Sequence, residues 1–413
     1  MTDLRTRVTA AVERRVAARA ARGDADAPVD GHLEAAAIDV LRDVAAAMAG
    51  ARGLAPPWPG DGERFPDASA LPPEALGALR EGLLGFEARR APPDDPVLLL
   101  GADGRVAFPR RRLDALTPAE RAAAEALPVV REVPPGDVYL HPVEEPRKAK
   151  GAYYTSDPLA RPTAEATLAP LLVGGGVPRT LDPAMGSGAF LLAAHRVMTA
   201  HGLPAARAAG ALRGIDLDPV AAEAARLAVW VEASDRALDW DGLGERLVTG
   251  DGLFDERFVE GSLDAVVGNP PWEIVKPNSR EWFARHDPFF RRLGKREARA
   301  RRERLFALDP ALEAAWEAYV GEIRSLAGRV GASDRFAWQG TGDRNTWKLF
   351  LERGLRLLRD GGRLGMIVPS GLATDRGARE LRRVLLAGIR WEWIFTFENK
   401  RGLFDIHRSW KFG

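Results

Sequence analysis

The sequence predicts an α/β protein: a doubly wound, Rossmann-like sheet, a mainly helical domain ahead of it, and a helical insertion within it. Three observations carry that reading. From about residue 145 onward, short β-rich runs alternate with Ala/Leu-rich helical stretches, the pattern of a parallel sheet with helices on both faces. Several of those runs end in Asp- and Gly-containing turns, at 182–188, 216–219 and 249–252. The chain has 413 residues, 46% of them apolar, enough for ordinary cores in two or three domains.

Residues 1 to about 50 read as helix, with Ala, Leu, Val and Ile recurring at three- and four-residue intervals between Arg and Asp/Glu. Breaks follow at Pro56-Pro57-Trp58-Pro59-Gly60, Pro92-Pro93-Asp94-Asp95-Pro96 and Pro134-Pro135-Gly136. The stretch between them is expected to hold short helices and a hairpin around Gly101-Ala102-Asp103-Gly104, and it carries no catalytic constellation. Strands are expected near 179–182, 212–216, 246–249, 265–267, 363–368 and 391–397, and helices near 188–200, 219–234, 347–358 and 377–386. The domains expected are 1–145, a catalytic unit made of 146–272 with 341–413, and a basic helical insertion at 273–340. Within the insertion, residues 276–305 hold eleven Lys and Arg against four Asp and Glu, an excess of seven positive charges.

Composition excludes several classes. With no cysteine there is no disulfide and no Cys-ligated metal site, and no metal is expected. No apolar run approaches the roughly 20 residues of a membrane span, and the Arg- and Ala-rich start lacks the apolar core of a signal peptide. A cytoplasmic protein with no membrane partner is the expectation. The formal net charge of +1 does not announce a nucleic-acid binder, although local charge acts over only about 8 Å.

The chemistry sits at four turns. In Leu181-Asp182-Pro183-Ala184-Met185-Gly186-Ser187-Gly188-Ala189-Phe190, a strand gives way to a helix through glycines that let the backbone approach a ligand. The carboxylate of Asp182 can bond a cationic or hydroxyl-bearing group. The absence of Gly-Lys-Ser/Thr excludes a P-loop. In Gly214-Ile215-Asp216-Leu217-Asp218-Pro219, Asp216 is placed to accept from ribose hydroxyls, whereas Asp218 reads as the cap of a helix beginning at Pro219. Thr249-Gly250-Asp251-Gly252 follows the third strand and offers Asp251 to an adenine amine. After the strand 263–268 comes Asn269-Pro270-Pro271-Trp272. Two prolines stiffen this loop, so that the Asn269 side-chain oxygen and the Pro270 carbonyl can converge on one NH2 group. Trp272 supplies a flat face for a planar substrate.

Taken together, these four pieces resemble the γ-class N6-adenine DNA methyltransferases of restriction-modification and phage-defence systems. The resemblance covers roughly residues 148–413. It includes Lys150-Gly151-Ala152-Tyr153-Tyr154-Thr155 ahead of the glycine turn, the runs 342–350 and 361–370, and the run 397–407. It implies an S-adenosylmethionine site lined by Tyr154, Thr155, Asp182, Ala184, Gly186, Gly188, Asp216 and Asp251. It also implies that Asn269, Pro270, Pro271 and Trp272 hold the target amine of an adenine flipped out of duplex DNA. Trp272 stands where Tyr is commoner, and Met185 where a small or polar residue is frequent. Trp347 is the candidate for a second aromatic on the flipped base, weighed against plain core packing. A target-recognition domain is implied after the catalytic one. The expectation is therefore a truncated product, or a separate target-recognition or defence-system subunit that reads the sequence. The basic insertion is the local candidate for phosphate contact. Two other readings stay open: a methyltransferase of RNA bases or protein glutamine, and a truncated, inactive cofactor- or partner-binding module.

Overall fold

The computed structural model describes residues 2–21, 29–58, 62–83, 86–100, 106–142, 155–287, 289–340, 342–398 and 411–412. In chain order it begins with α1 (Thr2–Ala21), α2 (Val29–Gly50) and α3 (Glu74–Leu83). Next come β1 (Phe86–Arg90), β2 (Val97–Leu100), β3 (Val106–Pro109), α4 (Pro118–Glu125), β4 (Val129–Val133) and β5 (Val138–Pro142). The second part of the chain holds α5 (Asp157–Leu172), β6 (Thr180–Asp182), α6 (Ala189–Ala200), α7 (Ala205–Ala211), β7 (Leu212–Asp216), α8 (Pro219–Ala233), α9 (Trp240–Arg246), β8 (Leu247–Thr249) and β9 (Leu263–Gly268). The insertion contributes α10 (Ser279–Ala284), α11 (Lys295–Leu308) and α12 (Pro310–Ala332). The sheet resumes with α13 (Thr346–Leu357) and β10 (Leu358–Met366), followed by α14 (Gly371–Thr374), α15 (Arg379–Gly388), β11 (Phe397–Glu398) and β12 (Lys411–Phe412).

Five strands form one parallel sheet in the order β10-β9-β6-β7-β8. Side chains alternate across it, as a period of two requires. Ala265 and Val267 of β9 pack with α5, α6 and α8, whereas Val266 joins Leu181, Ile215, Val248 and Leu357 on the other face. The chain starts at β6, winds outward to β8, then returns to the far side of β6 with β9. The order therefore reverses between β6 and β9, where the two strands pair through Leu181 and Val266. In a doubly wound sheet, the carboxyl ends at such a reversal form the crevice that receives ligands.

The region before residue 143 contains more strand than expected. β2 pairs antiparallel with β3 and β4, and β1 with β5. The expected turn at 101–104 lies outside the described residues, but the strands flanking it do pair, Leu100 opposite Val106. The short runs escaped the sequence reading because all five are four or five residues long. The strand expected at 391–397 is a correction. Only Phe397 and Glu398 enter a ladder, opposite Phe412 and Lys411. Ahead of them, side chains hold the segment instead: the Trp391 indole donates to the Leu385 carbonyl at 3.0 Å, and Glu392 bridges Arg363 and Arg390.

Helices α2 and α3 lie directly on α8, and one continuous core runs from Val40, Leu41, Val44 and Met48 to Leu227, Ala228 and Val231. Trp58 caps this seam, its ring 5.0 Å from Trp230 and 4.9 Å from Trp240. Ion pairs cross the same boundary. Arg42 meets Glu223 at 2.7 Å, and Arg80, buried on α3, bonds both its neighbour Glu81 and Asp218. As the sequence suggests, Asp218 caps α8, accepting from the Val220 amide at 2.8 Å. Arg80 thus neutralises a cap carboxylate one turn from the Asp216 strand end. Among the described residues, no helix is long and apolar enough to cross a membrane. Removing one member of a buried ionic cluster leaves the others uncompensated, so Arg80→Ala should destabilise the chain by about 3 kcal/mol, read as a lowered midpoint in urea unfolding followed by circular dichroism.

Candidate active site

Three loops meet at the carboxyl ends of β6, β7 and β9. Asp182 closes β6 and is fully buried, one oxygen accepting from the Ala184 amide at 3.1 Å. Asp216 closes β7 and laces the glycine turn to it. Its carboxylate accepts from the Gly186 amide at 2.9 Å and from the Asp218 amide at 2.9 Å. Gly188 is the N-cap residue of α6, and Met185 packs buried beneath the turn. Two glycines let the loops touch. A Cβ on Gly268 would stand 2.8 Å from the Asp182 carboxylate, and one on Gly252 would stand 2.0 Å from the Pro183 carbonyl. A larger residue at 252 would have to move the Pro183 backbone, and one at 268 would have to move the buried Asp182 carboxylate.

Two carboxyls in so little water are costly to ionise. Burial pushes the Asp182 carboxyl up to about 8, with the nearby Asp216 charge raising it further and the Ala184 amide opposing. Burial also raises Asp216, against the Asp218 amide, the Arg80 charge and the Gly186 amide. A cationic or hydrogen-donating ligand would favour the ionised forms and offset that cost.

The Asn269 loop leaves β9 beside this turn. Asn269 donates through Nδ2 to the Thr155 hydroxyl at 3.1 Å. That bond fixes the amide's orientation, and Oδ1 is left buried with no hydrogen-bond partner among the described residues. The Ser187 hydroxyl, in the glycine turn, is likewise buried with no partner among the described residues. An unmet buried polar atom costs about 1–3 kcal/mol, so each is a point where a ligand donor would be favoured. Pro270 is buried and Pro271 half-buried.

Contacts link the predicted residues in a chain: Thr155 to Asn269, Gly268 to Asp182, Asp182 to Ala184, and Gly186 to Asp216, while Gly188 packs against Ala225 of α8. Tyr154 lies outside the described residues. Asp251 is also near, on the turn whose Gly252 abuts Pro183, but its carboxylate is engaged. Arg329 of α12 bonds it at 2.9 Å and lies 4.1 Å over the Phe254 ring. Trp272 is half-buried, with Phe412 against its ring at 5.9 Å. Trp347 is buried with Leu351, Leu372, Leu381 and Leu385, so core packing accounts for it.

One residue was given no role in the sequence reading. Thr346, the first residue of α13, donates its hydroxyl to the Pro271 carbonyl at 2.6 Å and accepts from the Glu273 amide at 2.9 Å. These are the peptide groups on either side of Trp272. Asn345 also bridges to Ile274, and the Val275 amide donates to the Arg344 carbonyl at 2.9 Å. The run 344–346 thus clamps the loop from behind. Its sequence signal was only that it belongs to a recurring run, since a Thr at a helix start is ordinarily a cap.

Residues 138–300 match the family model described as N-6 DNA Methylase, and residues 332–404 match the one described as Eco57I restriction-modification methylase. No curated protein matches the sequence. Among solved structures, a Listeria monocytogenes protein described as a class I S-adenosylmethionine-dependent methyltransferase is similar at 10% identity, with a TM-score of 0.43; the match covers 100% of this chain and 87% of that one. A DrdV–DNA complex determined by cryoEM is similar at 16% identity and a TM-score of 0.36, over 58% of this chain and 23% of that one. The methyltransferase subunit of a type I restriction-modification system from Streptococcus thermophilus is similar at 18% identity and a TM-score of 0.32, over 57% of this chain and 38% of that one. The chain thus spans less than half the length of the last two.

The electrostatics generate a stability test. A carboxyl whose folded-state pKa is raised contributes stability that is lost as pH climbs from its ordinary value, about 3.9, through about 8. Asp182→Asn should therefore leave the melting temperature nearly unchanged at about pH 4 and raise it at about pH 9, where the wild-type group must ionise in a dry site. Parallel melting curves for the two proteins across that range would contradict the assignment.

Proposed function

We propose, from the matches of residues 138–300 to the N-6 DNA Methylase model and of residues 332–404 to the Eco57I restriction-modification methylase model, that this chain is a γ-class methylase that transfers a methyl group from S-adenosylmethionine to the N6 amine of adenine in DNA, within a restriction-modification or phage-defence system. The single observation that carries the reading is Asn269 Oδ1, buried without a hydrogen-bond partner among the described residues and close to the glycine turn at the strand-order reversal. An exocyclic amine is the donor group that such an acceptor lacks.

The residues present fit the methyl donor. Asp182 offers a carboxyl to a cation, Asp216 keeps lone pairs beyond the two amides it accepts from, and the Ser187 hydroxyl of the same turn has no partner among the described residues. Thr155, Ala184, Gly186 and Gly188 line that turn, and Tyr154 and Asp251 complete the set that the family resemblance implies. When bound, S-adenosylmethionine supplies an electrophilic methyl carried on a sulfonium.

The chain's own residues act on the acceptor. Asn269 Oδ1 and the Pro270 carbonyl each take a hydrogen bond from the amine. Both bonds draw the nitrogen lone pair out of conjugation with the ring and aim it. The amine would gain one N–C bond as the donor's S–CH3 bond breaks, the bonding pair staying on sulfur as a neutral thioether, and would give up one proton to solvent. Thr155 holds the Asn269 amide with its oxygen toward the amine, and Thr346 holds the Pro271–Trp272–Glu273 backbone. Help of this kind is positional, and correct placement alone is worth several orders of magnitude in rate. Because N6 is paired and stacked within the duplex, the adenine must be extruded to reach this loop.

Transfer of labelled methyl groups into duplex DNA, followed by nucleoside analysis, tests the reading. The expected product is N6-methyladenine, and label found only in RNA or protein would replace DNA as the substrate. Asn269→Ala should abolish transfer while donor binding, measured by calorimetry, stays nearly intact. Thr346→Val should lower the DNA-saturated rate by about tenfold with little change in donor affinity. Thr346→Ser, which keeps the hydroxyl, should recover most of that rate.

A further inference from the structure

Of the eleven cations in residues 276–305, several have internal partners. Arg291 meets Glu281 at 2.9 Å, Arg299 meets Glu303 at 3.0 Å, and Arg301 meets Asp287 at 2.7 Å and also Glu120. Arg280 donates to the Leu293 carbonyl, and Arg304 to that of Asp114. The fourth acid, Glu297, accepts from the Gly294 amide at 2.9 Å at the start of α11. All four acids of the stretch are therefore engaged. Arg292, Lys295, Arg296 and Arg302 have no acid or carbonyl partner among the described residues, and the first three are exposed. Arg299 joins them on the outer side of the helix, its side chain 76% exposed and its pair with Glu303 too solvated to hold it firmly.

A helix face that merely keeps a protein soluble needs no rigid mount, yet α11 has one. Its inner side is pinned by Arg301, buried between Asp287 of the insertion and Glu120 of α4, and by Leu305 packed with Trp282, Phe283 and Phe290. Arg112 reaches across to Asp309 just beyond the helix. The insertion is also rooted on the 269–275 loop, which it leaves and rejoins through the Ile274–Asn345 bridge. Between Lys295 and Arg302 the helix rises about 10 Å, roughly three base steps of duplex axis.

The geometry points to the outer face of α11, with the turn before it, as a phosphate-gripping surface: Arg292, Lys295, Arg296, Arg299 and Arg302 contact the backbone of duplex DNA while the neighbouring loop holds the extruded base. This assignment rests on DNA being the substrate of the proposed reaction. It names a grip that follows the phosphates and reads no sequence, and the N-terminal region is the mount that holds it in place.

Equilibrium binding of a fluorescently labelled duplex across a KCl titration tests it without any methyl donor. The variant Arg292→Gln/Lys295→Gln/Arg296→Gln/Arg302→Gln is compared with the wild type and with Arg5→Gln/Arg207→Gln, a control on α1 and α7. The magnitude of the slope of log affinity against log salt should fall by about 3 in the quadruple variant. Its affinity at moderate salt should fall at least about tenfold, equally for unrelated sequences. The control should match the wild type. Equal slopes for quadruple variant and wild type, equal losses in the control, or a loss seen only with an RNA duplex would each overturn the assignment. The two readings fail separately. Methyl transfer that proceeds with an unaltered salt slope in the quadruple variant removes the grip and keeps the enzyme. Salt-sensitive DNA binding through these residues without any transfer removes the enzyme and keeps the grip.

Discussion

Everything in the crevice depends on two backbone rungs, Thr180 opposite Ala265 and Leu181 opposite Val266. They pair the first strand of the sheet with the fourth, and they exist because the chain reverses its winding direction between those strands. The pairing is what sets a Gly-rich turn and a double-proline loop side by side, although nearly ninety residues of sequence lie between them. Without it, Asp182 and Asn269 would stand on unrelated edges. With it, the buried Asp182 carboxyl stands beside the strand end that carries Asn269. Polar groups buried there raise the free energy of the folded chain unless something meets them, and a ligand that supplies donors lowers it.

The first 142 residues act on both sides of this crevice. On one side α2 and α3 share a core with α8, and Arg80 supplies the counter-charge at the foot of the Asp216 strand. On the other, α4 and the turn ahead of it hold the insertion through Glu120 and Arg112. A single structural unit therefore ties the crevice wall to the basic helix, through ionic contacts that are largely out of solvent. Such contacts add little net stability compared with apolar packing, but they are strict about geometry. That is the property needed to keep two separate parts of a site in register.

Much of the sheet was legible in the sequence, because a strand followed by an Asp–Gly turn and an amphipathic helix leaves a strong local signature. β6, β7, β8, β9 and α6, α8, α13 fall within a residue or two of where periodicity puts them, and the capping role of Asp218 followed from Pro219 alone. The N-terminal strands were not legible, since segments of four or five residues carry too little periodicity to distinguish them from loop. Nor was the 391–397 run, whose alternating aromatic residues look like a strand although among the described residues only Phe397 of that run enters a ladder. Within the site, the residue types at 182, 216 and 269 announced acceptors. Which of them would be left unmet depended on neighbours distant in sequence: Thr155 turning the Asn269 amide, and Arg329 already occupying Asp251. Thr346 was invisible for the same reason, as its function lies in what its hydroxyl reaches across the fold.

The narrow neck of the insertion has a consequence for how such a protein can change over time. Its two stems leave the catalytic loop together, joined by one bridge at Ile274 and Asn345, so the separation between entry and exit is the same whatever lies between them. Lengthening a segment closed at such a neck adds only a slowly growing entropic cost, and none of the sheet's rungs need shift. A lineage could therefore exchange or enlarge this appendage, acquiring new surfaces, while the strand ends of the sheet kept their places.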